Sequence, residues 1–572
     1  SRQRGGQWQL SRLLTTERKQ YLKYQAWLTA KWGVGIYGMV FLFLVTSFGF
    51  AQQYRERKYP SPREWSFWTR YFYRNAQWEE DPGPENAEII DWTAVGNYYR
   101  DVVRRLEDPT INGQGVTEQE EGGILVLGVG QTGKDISTQP ETWRRGYVEA
   151  LMGCARAAQN LDSWIADKTR RLAFPSSMVI GPSNPNPRPC PPGSPEAPLE
   201  ENCEPAFEGP ETFYMKILTT KGVTTKERLL AALAYADWLD YKNLPSSAED
   251  MYQWALDIAS SPLEKPSAFV SPTTGVLNPS APEAPSPNLL LATTSLAIHH
   301  ARTGNTSAAL PIFLSVLRAR RSLSASPSAL LDSFPEEARH HPSDPTAPQR
   351  PSISPSATAT FLATLKSLFV EPPFPPPPPT GDTPALRNST SICEEAGLMA
   401  NIGELLFAAS ATPTEGLAWT RSAVDLAESQ LGAISPTDDT PARTRCRECM
   451  NVGLKNWQMM VEQLARDAGA DGPRKSTTND IDDSDRVVGG AKDTEDNLVE
   501  HSTTALSKWK FWAQKPSAQA AAEREGERQR WEAEKAVVEL RMKRAREALA
   551  QERMRRMAAG QVSQWGPAIF GK

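Results

Sequence analysis

The alternation of apolar and polar positions breaks most sharply near the start of the chain. Trp32–Ala51 (WGVGIYGMVFLFLVTSFGFA) carries no charged residue over 20 positions. A helix of that length covers the roughly 30 Å of a bilayer's hydrocarbon core. Trp27 and Trp32 flank one end and Tyr54 the other, as an aromatic belt at the two water interfaces would. The apolar core of a cleaved signal is shorter, about 7–15 residues, and follows a shorter leader. The run therefore predicts a retained membrane helix rather than a signal or a buried core helix.

Beyond the run, apolar residues recur at helical spacing almost everywhere. Helices are predicted at about 141–163, in pairs over 229–262 and 290–323, in a looser pair Cys393–Ala409 and Thr414–Glu428, and at 441–466 and 517–559. Ile124–Val129 is the only strand-like run. Just past the apolar run, Trp65, Trp68 and Phe72 recur at i, i+3, i+7 with Arg63, Arg70 and Arg74 between them. That pattern fits a helix lying in the lipid headgroup layer, and equally one packed beneath a folded domain. In 517–559 Trp531, Val538, Met542, Ala545 and Leu549 make a narrow apolar stripe on a highly charged helix. It suits capping of a helical stack or docking on a partner.

The paired helices share a register. In the first pair Ala236 lies in the first helix and Ala248, Tyr252 and Ala255 in the second, with Ser246 and Glu249 spaced as a capping box. In the second pair Ala297, Ala309, Phe313 and Val316 take the same offsets, Gly304 supplies the turn and Pro311 falls early in the second helix. In the looser pair Ala418 and Ala423 are the small residues. Small residues let two helices approach, and the aromatic fills the space between them. Units of 34 residues with this pattern resemble tetratricopeptide repeats. The fold class expected is all-α: a tetratricopeptide-like helical repeat (α-solenoid) with one N-terminal transmembrane helix and Pro-rich disordered inserts. The stack should expose a concave face lined by Leu233, Asp237, Asp240 and Tyr241 of the first pair and Thr294, Ile298 and Arg302 of the second.

Composition adds boundaries. Most of the 47 prolines cluster at about 181–210, 261–287, 322–356 and 371–390, stretches read as loops and linkers because they carry little apolar surface to bury. An acidic, polar stretch covers about 468–500. The organisation expected is a basic segment 1–31, the span 32–51, a juxtamembrane region 52–120, a repeat domain 121–466, an acidic linker 467–505 and a charged helix and tail 506–572. The net charge of −5 gives no reason to expect a nucleic-acid partner.

Little in the sequence carries chemistry. Gly128–Asp135 (GVGQTGKD) satisfies G-x-x-x-x-G-K, but Asp135 stands where a phosphate loop needs Ser or Thr for magnesium, and no later strands follow. A connector into the helix near Glu141 is the better reading. Cys446 and Cys449 form C-x-x-C without the second pair or histidine that zinc needs. They read as small core residues, with a disulfide to Cys393 as the alternative in an oxidising compartment. His299–His300 ends a repeat helix. Neither enzyme nor cofactor nor metal site is expected.

Orientation follows from charge. Residues 1–31 carry Arg2, Arg4, Arg12, Arg18, Lys19, Lys23 and Lys31 against Glu17, so this side should stay in and the body cross. An Arg-rich, acid-poor start also looks like the remainder of a mitochondrial presequence, and the absence of an initial Met fits removal of an upstream piece. An endoplasmic-reticulum signal anchor is the rival. A basic N-terminus, one span at Trp32–Ala51 and repeats at 229–262 and 290–323 together resemble the fungal adaptor subunit of the mitochondrial inner-membrane i-AAA protease. The resemblance implies an N-terminus in the matrix, a body in the intermembrane space, and partners that are misfolded protein clients and AAA protease subunits. A respiratory-complex assembly factor or scaffold shares the same outline and is the alternative.

Overall fold

The computed structural model describes residues 16–81, 90–119, 133–170, 172–325, 374–409, 413–434, 441–469 and 518–560. The strand-like run Ile124–Val129, most of the 322–356 stretch and the acidic linker lie outside these residues. The chain folds as two compact units, Ser1–Leu263 with Pro342–Thr383, and Glu264–His341 with Pro384–Lys572. The boundary falls between the two matched helix pairs, so the repeat region expected at 121–466 is shared between both units.

In the first unit α1 (Thr16–Lys58) holds the apolar run and continues beyond it. It is long and apolar enough to cross a membrane, and none of its apolar window is buried. The chain then turns at Pro60–Pro62 into α2 (Phe67–Glu80), followed by α3 (Trp92–Glu107) and α4 (Glu141–Asn160). Asp91 caps α3 by accepting from the amides of Thr93 and Ala94. Gly146 and Gly153 lie one heptad apart on α4, where a Cβ would meet the rings of Trp65 and Tyr99 at 2.6 and 2.5 Å. These two rings therefore sit directly on the α4 backbone. Buried tyrosines tie the three helices through their hydroxyls: Tyr73 donates to Glu149 (2.6 Å), Tyr99 to Glu80 (2.7 Å) and Tyr147 to Glu107 (2.8 Å). Burial first, then the neighbouring carboxylate, pushes all three phenols well above their usual range.

One face of the Trp65 segment packs beneath the folded domain, the second of its two readings. Trp65 is buried, whereas Trp68 is 54% exposed. The inner face of α2, including Thr69, Tyr73 and Ala76, belongs to the core.

Several Pro-rich stretches correct the expectation of unstructured linkers. β3 (Trp164–Asp167) pairs antiparallel with β4 (Leu172–Pro175) on one side and β5 (Cys203–Pro205) on the other. The 181–202 segment between β4 and β5 is pinned by backbone bonds such as Ile180 N to Pro198 O (3.0 Å). Residues 374–380 lie against α4 and the helix that begins at Thr225. Arg145 stacks over Phe374 at 4.2 Å and donates to Pro375 O (2.6 Å), and Lys226 donates to Pro379 O (3.3 Å). In the second unit Phe269, Val270 and Leu277 of the 261–287 stretch are buried. A few apolar side chains within a proline-rich segment are enough to hold it on a core.

After α5 (Pro210–Thr219) the first unit closes with the helix pair α6 (Thr225–Tyr241) and α7 (Pro245–Ser260). The second unit contains α8 (Pro287–Arg302) and α9 (Thr306–Arg321), α10 (Ser389–Ala409) and α11 (Pro413–Ala433), then α12 (Pro441–Gly469) and α13 (Ala518–Gly560). α10 and α11 meet through glycine. A Cβ on Gly416 would stand 2.4 Å from Phe407 N and 2.5 Å from Gly403 O. Ala423 is buried there, but Ala418 is exposed, so the predicted small pair is replaced by Gly403 and Gly416. The apolar stripe of α13 is covered within the chain. Trp531 and Val538 join a core with Leu417, Val424, Leu454, Trp457 and Val461, and Met542 and Ala545 pack on its margin. Arg541 bonds Asp425 (2.5 Å) and Glu552 bonds Arg447 (2.7 Å) along the same seam.

Candidate functional site

The two helix pairs match position for position at an offset of 61 residues, which is 302 minus 241 at their first-helix ends. Leu229, Ala232, Ala236 and Leu239 of α6 are buried, and so are Leu290, Thr293, Ala297 and His300 of α8. Ala248, Met251, Tyr252, Ala255 and Leu256 of α7 are buried, as are Ala309, Ile312, Phe313, Val316 and Leu317 of α9. The turns also match, with Asn243 at φ 57° and Gly304 at φ 79°. Both occupy the left-handed region, which Gly enters freely and Asn tolerates. Pro311 is accommodated at the sixth residue of α9.

The start of the second helix differs from expectation. Pro245 takes the first position of α7 and Leu244 the cap, without a side-chain cap bond, so Ser246 and Glu249 form no capping box. The box belongs instead to α6. Thr224 Oγ1 accepts from Glu227 N (3.4 Å), and the Glu227 carboxylate accepts from Thr224 N (3.0 Å).

Of the positions expected to line a binding face, Tyr241 is 75% exposed, Asp237 and Arg302 are exposed, and Asp240, Thr294 and Ile298 are half-buried. Leu233 is buried at 7% and belongs to the core, so it cannot contact a ligand on that face. It lies on the side of α6 that also holds Ala236. Thr294 turns its hydroxyl to Leu290 O (2.6 Å). Asp237 and Asp240 both accept from the Tyr252 hydroxyl, at 2.7 and 3.2 Å. Burial and these two carboxylates push the Tyr252 phenol up. The two aspartates therefore fasten α7 to α6 as well as carrying charge on the surface.

Two residues were missed. Leu230 of α6 is 43% exposed and Leu291 of α8 is 38% exposed, at the same position of each pair. Leu230, Ala234, Asp237 and Tyr241 share one face at i, i+4, i+7, i+11, and Leu291, Ser295, Ile298 and Arg302 repeat it. An exposed leucine recurring in register was the available signal. Each unit thus presents one face that is apolar at its N-terminal end and polar or aromatic at its C-terminal end.

The remaining chemical motifs take structural places. Lys134 and Asp135 form β2, paired antiparallel with β1 (Thr117–Glu118). Lys134 meets Glu118 at 3.1 Å and Asp135 meets Lys221 at 3.3 Å, while Gly128–Thr132 lie outside the described residues. Cys446 is joined to Cys393 by a disulfide between α12 and α10, and Cys449 is free and buried. The small-core reading therefore holds for Cys449 and gives way to the disulfide for Cys446. His299 and His300 are buried at the end of α8. A cleft of about 670 Å³ opens between residues 276–285 and α9, lined by Leu277, Leu310 and Leu314 among others; none of the expected site residues reaches it. No family model, curated protein or solved structure matches the chain.

Proposed function

We propose that the protein is a membrane-anchored, polypeptide-binding adaptor. In this reading α1 is its single span and the pairs α6–α7 and α8–α9 are tetratricopeptide-type units. The observation that carries the proposal is the matched face Leu230–Ala234–Asp237–Tyr241 and Leu291–Ser295–Ile298–Arg302, on a chain whose α1, long and apolar enough to cross a membrane, is unburied. A face mixing leucine, tyrosine and charge suits extended, partly apolar polypeptide segments, which gain from apolar contact and are set in register by the polar positions. A helical repeat scaffold held at a bilayer collects such segments near the membrane. The resemblance to the fungal i-AAA adaptor gives the destination: exposed client segments in the intermembrane space are handed to the protease. The Cys393–Cys446 disulfide supports a body in an oxidising compartment, since disulfides are rare on reducing sides of membranes.

The test is affinity recovery of the full chain from gently solubilised inner membranes. Wild type should bring down the AAA protease with trapped clients. The double variant Leu230→Ser, Leu291→Ser should keep the protease and lose most client signal. Recovery of a respiratory complex and no protease would replace this reading with that of an assembly factor.

A further inference from the structure

The junction between α1 and the body is built from rings. Phe48, in the apolar run of α1, meets Tyr71 of α2 with centroids 6.0 Å apart. From Tyr71 the contacts continue to Trp68 (5.7 Å) and Phe72 (5.5 Å), from Trp68 to Phe67 (5.5 Å), and from Phe72 to Tyr98 of α3 (6.3 Å). Phe67 is 52% exposed. On another side of α1, Tyr54 meets Trp78 at 6.0 Å, and Arg55 and Lys58 lie over the same Trp78 ring at 5.3 and 5.1 Å.

The position of this cluster along α1 is fixed by polar contacts. The Arg70 guanidinium bonds Glu56 (3.0 Å), Arg74 pairs with Glu56, and Arg74 also donates to Gln52 (3.2 Å). Glu56 is 3% exposed and Arg74 4%. These contacts clamp α2 alongside residues 48–58 of α1, where the apolar run ends and the first charges begin. The exposed rings of α2 are thus continuous with the unburied apolar surface of α1 and lie at the level of its last turns. Tyr and Trp are favoured where an apolar bilayer meets water, because each has an apolar body and a polar handle.

We infer that the outer face of α2, with Phe67, Trp68, Tyr71 and Phe72, lies in the headgroup layer of the bilayer that α1 crosses, and that this second contact fixes the tilt of the body on its anchor. The inference rests on α1 being a span. Its occupant is lipid, because the ring cluster joins directly onto the span through Phe48 and Tyr71.

The experiment uses the full chain reconstituted in vesicles of phosphatidylcholine with an anionic phospholipid. A fluorescent amino acid replaces Tyr37 (mid-run, 79% exposed), Trp68 or Tyr241 in three separate preparations. Lipids carrying a nitroxide near the headgroup or deep in the acyl chain, and aqueous iodide, serve as quenchers. Position 37 should be quenched by the deep nitroxide, position 68 by the headgroup nitroxide with shielding from iodide, and position 241 by iodide alone. Deep quenching at 37 with iodide quenching at 68 overturns the headgroup contact and leaves the anchor standing. Shielding of 68 from every quencher overturns it too, since protein then covers the face. Iodide quenching at 37 overturns the anchor and the inference together.

Discussion

At the scale of residues, the join between α1 and α2 depends on Glu56. Its carboxylate accepts from the Ser61 hydroxyl (2.9 Å) and the Ser61 amide (3.1 Å) and serves the Arg70 and Arg74 guanidiniums. Removing one member of a buried charge cluster leaves the others desolvated without their counter-charge, at a cost of about 3–5 kcal/mol. Glu56→Leu should therefore loosen α2, read as faster hydrogen exchange of the 67–80 amides in detergent micelles. Unchanged exchange would mean that the ion cluster does not hold the helix. Asp167 offers a pH test. It accepts from the Thr169 hydroxyl (2.6 Å) and pairs with Arg170 (2.6 Å), and the Thr169 bond, ahead of the Arg170 bond, lowers its carboxyl to about 2. The unfolded carboxyl titrates near 4. Because the folded value is depressed, its stabilisation is complete above about pH 4 and is lost as pH falls toward 2. Asp167→Asn should flatten the acid limb of the unfolding midpoint between those values, measured by circular dichroism. Neither residue was legible beforehand. Glu56 reads in sequence as one charge among several after the apolar run, and its arginine partners stand 14 and 18 positions away in no repeating pattern.

At the scale of elements, the helices were legible where sequence period and packing period coincide. Ala236, Ala248, Tyr252 and Ala255 stand at helical spacing and are all buried, and their counterparts in α8 and α9 follow them. The start of α7 departs from the expectation because Ser246-x-x-Glu249 imitates a capping box, while Pro245 preorganises the first helical position two residues before the one that box implies. The strands escaped notice because runs of two to four residues are too short to show alternation. The third pair is legible, and of its two expected small residues Ala423 is buried while Ala418 is exposed. The glycines that make the contact, Gly403 and Gly416, are more than a dozen residues apart on separate helices, and only their juxtaposition reveals the close approach. This gives an element-scale prediction. Gly416→Val places side-chain atoms against the backbone of α10, which cannot rotate away, so α10 and α11 must separate. Overpacking of this kind costs about 1–3 kcal/mol. Thermal unfolding should show the loss, and Ala418→Val, on the exposed side of the same helix, should change the midpoint little. Equal effects of the two substitutions would refute the glycine seam.

At the scale of the whole molecule, α1 and the disulfide make linked demands on topology. α1 commits its two flanks to opposite sides of any bilayer it crosses, and among the described residues no second helix long and apolar enough to cross follows it. The Cys393–Cys446 bond follows α1 in the chain, its cysteines 53 residues apart in sequence and with Cα atoms 4.7 Å apart. Closing a loop of that length restricts the unfolded chain and stabilises by roughly 4 kcal/mol in the chain-entropy account. The bond is maintained only where the compartment is oxidising. Sidedness and redox state therefore have to agree. Peptide mapping without reductant should recover Cys393 and Cys446 in one linked pair and Cys449 as a free thiol, whose burial pushes its pKa up and slows its reaction. Under the proposed inner-membrane placement, protease added to mitochondria with ruptured outer membranes should remove the body and leave a fragment ending near the α1–α2 join. A body protected from protease, together with reduced Cys393 and Cys446, would place it on the matrix side and reverse the orientation read from the basic N-terminus. A digested body with reduced cysteines would leave the orientation intact and remove the disulfide as its support.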